Sequence, residues 1–161
     1  DYKQDQGENL YRRSFYTFLK RMAPPPNMET FNAPSREFSC LRRERTNTPL
    51  QALVTLNDPQ FVEASRNLAQ LVLKNAEANV PARLNAAGER TLCRKFREEE
   101  LKTLEPAIAE LTKFYAENKP KAEALIKTGE SKPDEKLDAV ELAVWTNVCN
   151  TLLNLDEALN K

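Results

Sequence analysis

The sequence predicts an all-α fold, an irregular multi-helix bundle with a long Pro/Arg-rich loop near the N-terminus. Three observations carry that expectation. Only 3 glycines occur in 161 residues, which leaves few places for hairpin turns. Ala, Leu, Glu and Lys dominate the second half, and apolar residues recur there at helical spacing. The length suits one domain on the usual scale of about 100–200 residues. Residues 1–161 are therefore read as a single helical domain, with an irregular loop at 23–47 and a C-terminal core helix at about 134–153.

Leu10, Phe15, Phe18 and Leu19 predict a first helix from about Glu8 to Met22. Pro24-Pro25-Pro26 stops it, because consecutive prolines lack amide donors and favour an extended backbone. Residues 27–45 show neither the helical nor the strand period, and irregular segments of this length are usually functional or tied down. Thr48-Pro49-Leu50-Gln51 is a strong start: a capping hydroxyl, a proline where no donor is needed, and a glutamine that reaches back. That helix should end near Leu56, since Asn57-Asp58-Pro59 repeats the arrangement with Asp58 as cap. The helix after Asp58 carries Phe61, Ala64, Leu68 and Leu71 as one apolar stripe, with Glu63, Arg66 and Asn67 outside it.

A further helix is predicted from Pro81 to Cys93. From Glu98 onward, Leu101, Leu104, Ile108, Leu111 and Tyr115 form a heptad seam, and Pro106 within it should bend the helix or shift its first turn. A short helix, Lys121 to Thr128, should end at Gly129, before the polar linker Glu130-Ser131-Lys132-Pro133. The last helix, about Asp134 to Leu153, holds Leu137, Val140, Leu142, Val144, Trp145, Val148, Cys149 and Leu152, apolar around most of its circumference, and so belongs in the middle of the bundle.

Composition removes several chemistries. With no histidine there is no Ser-His-Asp or Cys-His triad and no histidine-ligated zinc or haem. Cys40, Cys93 and Cys149 show no C-x-x-C spacing; the aliphatic neighbours of Cys93 and Cys149 favour buried, inert thiols over the alternative, a disulfide between two of the three in an oxidising compartment. Cys40 stands among arginines, which lower a thiol pKa if they are near it in space. No catalytic residue and no metal ligand set is assigned, and no cofactor is expected in this chain. Lys+Arg 24 balances Asp+Glu 24, which argues against a nucleic-acid partner, and no apolar run approaches the roughly 18 residues of a membrane span.

The balance is uneven along the chain. Residues 1–48 hold nine Lys/Arg against six Asp/Glu, a net +3 that the remainder offsets. Arg12, Arg13, Arg36, Arg42, Arg43 and Arg45 are the candidate contacts for an anion or a partner, because guanidinium forks take oxyanions bidentately. The competing reading is internal salt bridging that pins the loop onto acidic helices. Glu98-Glu99-Glu100, Glu105 and Glu110 with Asp156-Glu157 offer the carboxylates of a glycosidase pair, against a plainer role as solvated faces and helix-dipole partners. Tyr11, Tyr16 and Phe18 suit either stacking on a ligand or core packing of the first helix.

Several stretches resemble a known family. They are Tyr11-Arg12-Arg13-Ser14, Lys20-Arg21-Met22-Ala23-Pro24-Pro25-Pro26-Asn27-Met28, Pro34-Ser35-Arg36-Glu37, Arg43-Glu44-Arg45-Thr46-Asn47-Thr48-Pro49-Leu50-Gln51-Ala52-Leu53, and Leu56-Asn57-Asp58-Pro59-Gln60-Phe61-Val62-Glu63-Ala64. With Glu141-Leu142-Ala143, Trp145-Thr146 and Leu152 to Glu157 near the end, they resemble the PSD1 (DUF1553) domain. Asn32 departs from that family's pattern, where an aspartate is expected, and residues 75–127 match only around Arg94 and Glu100-Leu101.

The resemblance implies a large exported, extracytoplasmic (periplasmic) bacterial protein of Planctomycetes, Verrucomicrobia and relatives. In such proteins this domain follows a DUF1549 domain and often a cytochrome c-like domain, so a haem is expected only on a neighbouring domain or subunit. An opening at Asp1 without an initiator Met fits the tail of a longer chain. The expected function is a non-catalytic helical structural or interaction module whose partners are other domains or subunits of a larger protein complex. The alternative is an accessory part of a carbohydrate-active or electron-transfer assembly.

Overall fold

Prolines and capping side chains set most helix starts in the computed structural model, which describes residues 3, 5–20, 23–35 and 37–160. Eight α-helices occur among these residues: α1 (Pro26–Thr30), α2 (Pro49–Asn57), α3 (Pro59–Asn75), α4 (Val80–Thr91), α5 (Glu98–Glu117), α6 (Lys119–Ile126), α7 (Ala139–Leu153) and α8 (Asp156–Leu159). The fold is all-α; among the described residues the only extended pairing is an isolated bridge between Lys20 and Ala23. The chain divides into two compact units, one up to Val54 and one over Thr55–Leu159.

In the N-terminal unit the predicted helix from Glu8 to Met22 is not formed over the described residues. Two 3₁₀ turns stand in its place, Gly7–Tyr11 and Ser14–Tyr16. Phe15 is 81% exposed and Phe18 75%, so the apolar stripe has no core to pack on. A helix of about 15 residues is marginal in water without such packing. The core-packing reading of Tyr11, Tyr16 and Phe18 is corrected with it. The triproline does end the preceding segment, yet it also starts α1: Pro26 occupies the first helical position, and the short helix lies inside the segment read as irregular.

The capping predictions for α2 and α3 hold at the atomic level. The Thr48 hydroxyl accepts from the Gln51 amide at 3.2 Å while the Gln51 side-chain oxygen accepts from the Thr48 amide at 2.9 Å. The Asp58 carboxylate accepts from the Gln60 amide at 2.8 Å.

The C-terminal unit is built around α7, which packs against α3, α4, α5 and α6. Leu142, Ala143, Val144, Trp145, Val148, Cys149 and Leu152 of α7 are all buried. The α5 seam is correct: Ile108 and Tyr115 are buried, and Leu101, Leu104 and Leu111 pack against the same core. The helix runs without a break through Pro106. The start of α7 is later than predicted. The Asp134 carboxylate accepts from the Lys136 amide at 2.9 Å in a tight turn, and the helix begins only after Asp138, whose side chain caps the Glu141 amide at 2.8 Å.

The largest correction concerns α3. Its buried residues are Val62, Glu63, Ser65, Arg66, Ala69, Val72 and Leu73, whereas Leu71 is 45% exposed. The inward face is thus rotated by one residue, about 100°, from the predicted stripe. Two ionised side chains sit inside the boundary that the sequence pattern drew around apolar residues alone.

Candidate functional site

The charged stretch leading into α2 folds back on α1 through side chains whose donors and acceptors match backbone groups. Asn32 adopts a left-handed conformation (φ 54°), which asparagine tolerates better than most residues. Its amide donates to the Thr46 hydroxyl at 2.7 Å and to the Glu44 carbonyl at 3.4 Å. The guanidinium of Arg43 donates to the carbonyls of Asn32 (3.2 Å) and Phe31. Gln51, only 3% exposed, donates to the Thr30 carbonyl at 2.9 Å and to the Thr46 hydroxyl at 2.8 Å. An asparagine serves this clasp where an aspartate would not, because a carboxylate has no hydrogen to give the Glu44 carbonyl.

The predicted arginines are placed differently from one another. Arg43 is anchored as described. Arg12 caps the first 3₁₀ turn and Arg13 precedes the second, both exposed. Arg42 and Arg45 are exposed on the loop, where the Arg42 carbonyl accepts from the Cys40 thiol at 3.3 Å. Arg36 lies outside the described residues. Within this unit, among the described residues, none of Arg12, Arg13, Arg42 and Arg45 forms an ion pair; the loop is held by bonds to carbonyl and hydroxyl oxygens. A hollow of about 960 Å³ opens beside α1, with Leu19, Met28, Phe38, Glu29 and Glu37 in its wall. Arg12, Arg13, Arg42 and Arg45 do not line it.

In the C-terminal unit the polar residues of α3 grip the chain between α6 and α7. The Arg66 guanidinium, fully buried, donates to the carbonyls of Ile126 (2.6 Å), Thr128 (2.8 Å) and Ser131 (2.7 Å) and to the Ser131 hydroxyl (2.6 Å). Glu63 accepts from the amides of Glu130 at 3.0 Å and Ser131 at 2.8 Å and lies 3.7 Å from Arg66. Gly129 passes between them with φ +96°, and a Cβ there would stand 2.3 Å from a Glu63 carboxylate oxygen, so glycine alone fits. One and two turns along the helix, Gln70 accepts from the Asp134 amide at 2.6 Å and Lys74 pairs with the Asp134 carboxylate at 2.5 Å. Hydrogen bonding to Lys74 holds the Asp134 carboxyl below its ordinary range. Sequence reading placed Glu63, Arg66 and Asn67 outside the core. The signal that marks them is their run with Gln70 and Lys74 at spacings of three and four, a polar stripe as regular as an apolar one.

Two carboxylates singled out in the sequence do meet. Arg94 donates to Glu157 at 2.8 and 2.8 Å and to Glu100 at 2.9 and 2.9 Å, a fork on each side of one guanidinium. The pairing does not have the chemistry of a glycosidase, whose acid must hold its proton near neutrality. Hydrogen bonding to Arg94, helped by the Arg97 amide at 2.7 Å, lowers the Glu100 carboxyl to about 2. Because the folded value lies below the ordinary 4.5, the contribution of Glu100 is full above pH 4.5 and is lost as pH falls toward 2. The melting temperature is expected to drop across that window, and Glu100→Gln should flatten this part of the profile when melting is followed by circular dichroism.

The thiols divide. Cys149 is buried, and desolvation pushes it up to about 12, which makes it the inert core thiol expected. Cys93 is exposed with φ 59°, so its expected burial is corrected; it ends α4 rather than packing within it. Cys40 is exposed. Among the described residues no group of three or more His, Cys, Asp or Glu is placed to hold a metal ion, and no helix is long and apolar enough to cross a membrane.

The architecture is thus all-α, and in both units the most distinctive charged and polar motifs bind their own backbone. The family model of PSD1, described as a protein of unknown function (DUF1553), matches residues 1–108. This chain belongs to the PSD1 (DUF1553) family. The match takes in the α1 to α2 clasp, α3 and α4, and ends within α5. No curated protein and no solved structure matches the chain.

Proposed function

We propose that the chain is a non-catalytic helical structural and interaction module of a larger extracytoplasmic protein or assembly. The observation that carries this reading is how its motif residues are used. Asn32, Arg43, Thr46, Thr48 and Gln51, in and around the most specific motif, all bond to backbone or to one another, and so do Glu63 and Arg66. A reactive site instead presents an acid, base or nucleophile toward a space where substrate fits. The N-terminal unit meanwhile exposes large apolar side chains, among them Phe15, Phe38 (80%) and Leu41 (102%), interspersed with Arg12, Arg13, Arg42 and Arg45. Exposed apolar groups concentrated in one unit suit a surface that another protein covers. The extracytoplasmic setting, and a haem held by a neighbouring domain or subunit, are carried over from the family resemblance.

The test uses the protein in its natural assembly. A photo-crosslinking residue at Phe38 or Leu41 is expected to capture protein elsewhere in that assembly, while the same group at exposed Glu110 of α5 is not. Capture from neither N-terminal position, or equal capture from Glu110, overturns the reading.

A further inference from the structure

α8 is the last helix, and none of its residues is buried. The core cluster of the C-terminal unit ends at Leu152, within α7. Asn154, which closes α7, is anchored independently: the fully buried Thr55 donates its hydroxyl to the Asn154 side-chain oxygen at 2.5 Å. Beyond Asn154 no described residue is fully buried, although Ala158 and Leu159 are half-buried, so apolar burial holds this segment more weakly than it holds α7. It is tied to the start of α5 by the double fork of Arg94, in which Glu157 takes Nε and one terminal nitrogen while Glu100 takes both terminal nitrogens. All three side chains are between 33% and 45% exposed, so water and salt reach the fork.

We propose that α8 is a strap, latched to the first turn of α5 through the Arg94–Glu157 fork and able to leave while the helices beneath it stay folded. Charge-assisted bidentate pairs of this geometry are the strongest exposed contacts arginine makes, and yet they are the ones that ionic strength weakens. Release breaks the Glu157 half of the fork and leaves Arg94 on Glu100, so the capped start of α5 survives the opening. The device joins the C-terminal edge of the unit to the turn between α4 and α5.

Amide hydrogen exchange on the full chain tests it. The Ala158 and Leu159 amides donate to the Leu155 carbonyl at 2.9 and 3.1 Å and report α8 directly. In Glu157→Gln, an exposed change that leaves the core untouched, their exchange is expected to quicken at least tenfold while the Val148 and Leu152 amides of α7 keep their rates. The wild type in 1 M NaCl, and Arg94→Gln, should move the same way. Unchanged exchange at Ala158 and Leu159 in Glu157→Gln overturns the proposal. So does acceleration of Val148 and Leu152 by the same factor, which would make α8 an integral part of the folded core.

Discussion

Replacing Arg66 with alanine is expected to destabilise the C-terminal unit by about 3–5 kcal/mol, the range for removing one partner from a buried charge pair. The guanidinium is fully buried and satisfies the carbonyls of Ile126, Thr128 and Ser131 as well as the Ser131 hydroxyl. Without it those oxygens lose their donors, and the buried Glu63 carboxyl loses the cation 3.7 Å away. Urea unfolding followed by the fluorescence of Trp145, the single tryptophan and itself 2% exposed, measures the loss. The double variant Glu63→Leu with Arg66→Met should cost less than the two single changes summed, since it removes both charges together. Full additivity would show that the pair does not act as a unit.

A fragment ending at residue 108 is expected to have no cooperative unfolding transition, although it contains everything the family model matches. Ten of the sixteen buried residues of the core cluster lie beyond that point, seven of them on α7. α3, α4 and the start of α5 would then expose Ala69, Val72, Leu84 and Ala87 to water, and Arg66 would lose the oxygens of Ile126, Thr128 and Ser131. Amphipathic helices owe most of their stability to the surface they pack on, so helicity in the fragment should fall well below that of the same residues in the full chain. Circular dichroism melting of the two chains side by side reads the difference. A sharp transition in the fragment would mean that the matched region folds without α7.

Both expected losses arise from contacts between distant parts of the chain, whereas other features are legible in the residues themselves. Thr48 with Gln51 and Asp58 with Pro59 are readable because a cap acts within one turn of its own helix, over three residues of sequence, whereas α6 ends at Ile126, before the predicted Thr128, and Gly129 is set by its contact with Glu63. The α5 seam and the central place of α7 were readable because periodicity and all-round apolarity need no knowledge of the partner. The clasp at Asn32 and Gln51 was legible as a motif, while its internal use was not, since its bonds cross 14 and 21 residues.

The inward face of α3 was decided only in three dimensions. Glu63 and Arg66 count as polar in any pattern of residues, and they are buried because the carbonyls and amides of residues 126–131, about sixty positions away, meet their charges. The same holds for Arg94, whose second carboxylate comes from Glu157. For the segment from Glu8 to Tyr16 the deficit is opposite: its apolar residues had the spacing of a helix, and tertiary structure supplied no surface to reward it. Local chemistry therefore determined where helices begin and end. Burial of charge, and the choice of which helix survives, depended on groups brought close by the fold, because desolvation is repaid only by partners that sequence distance conceals.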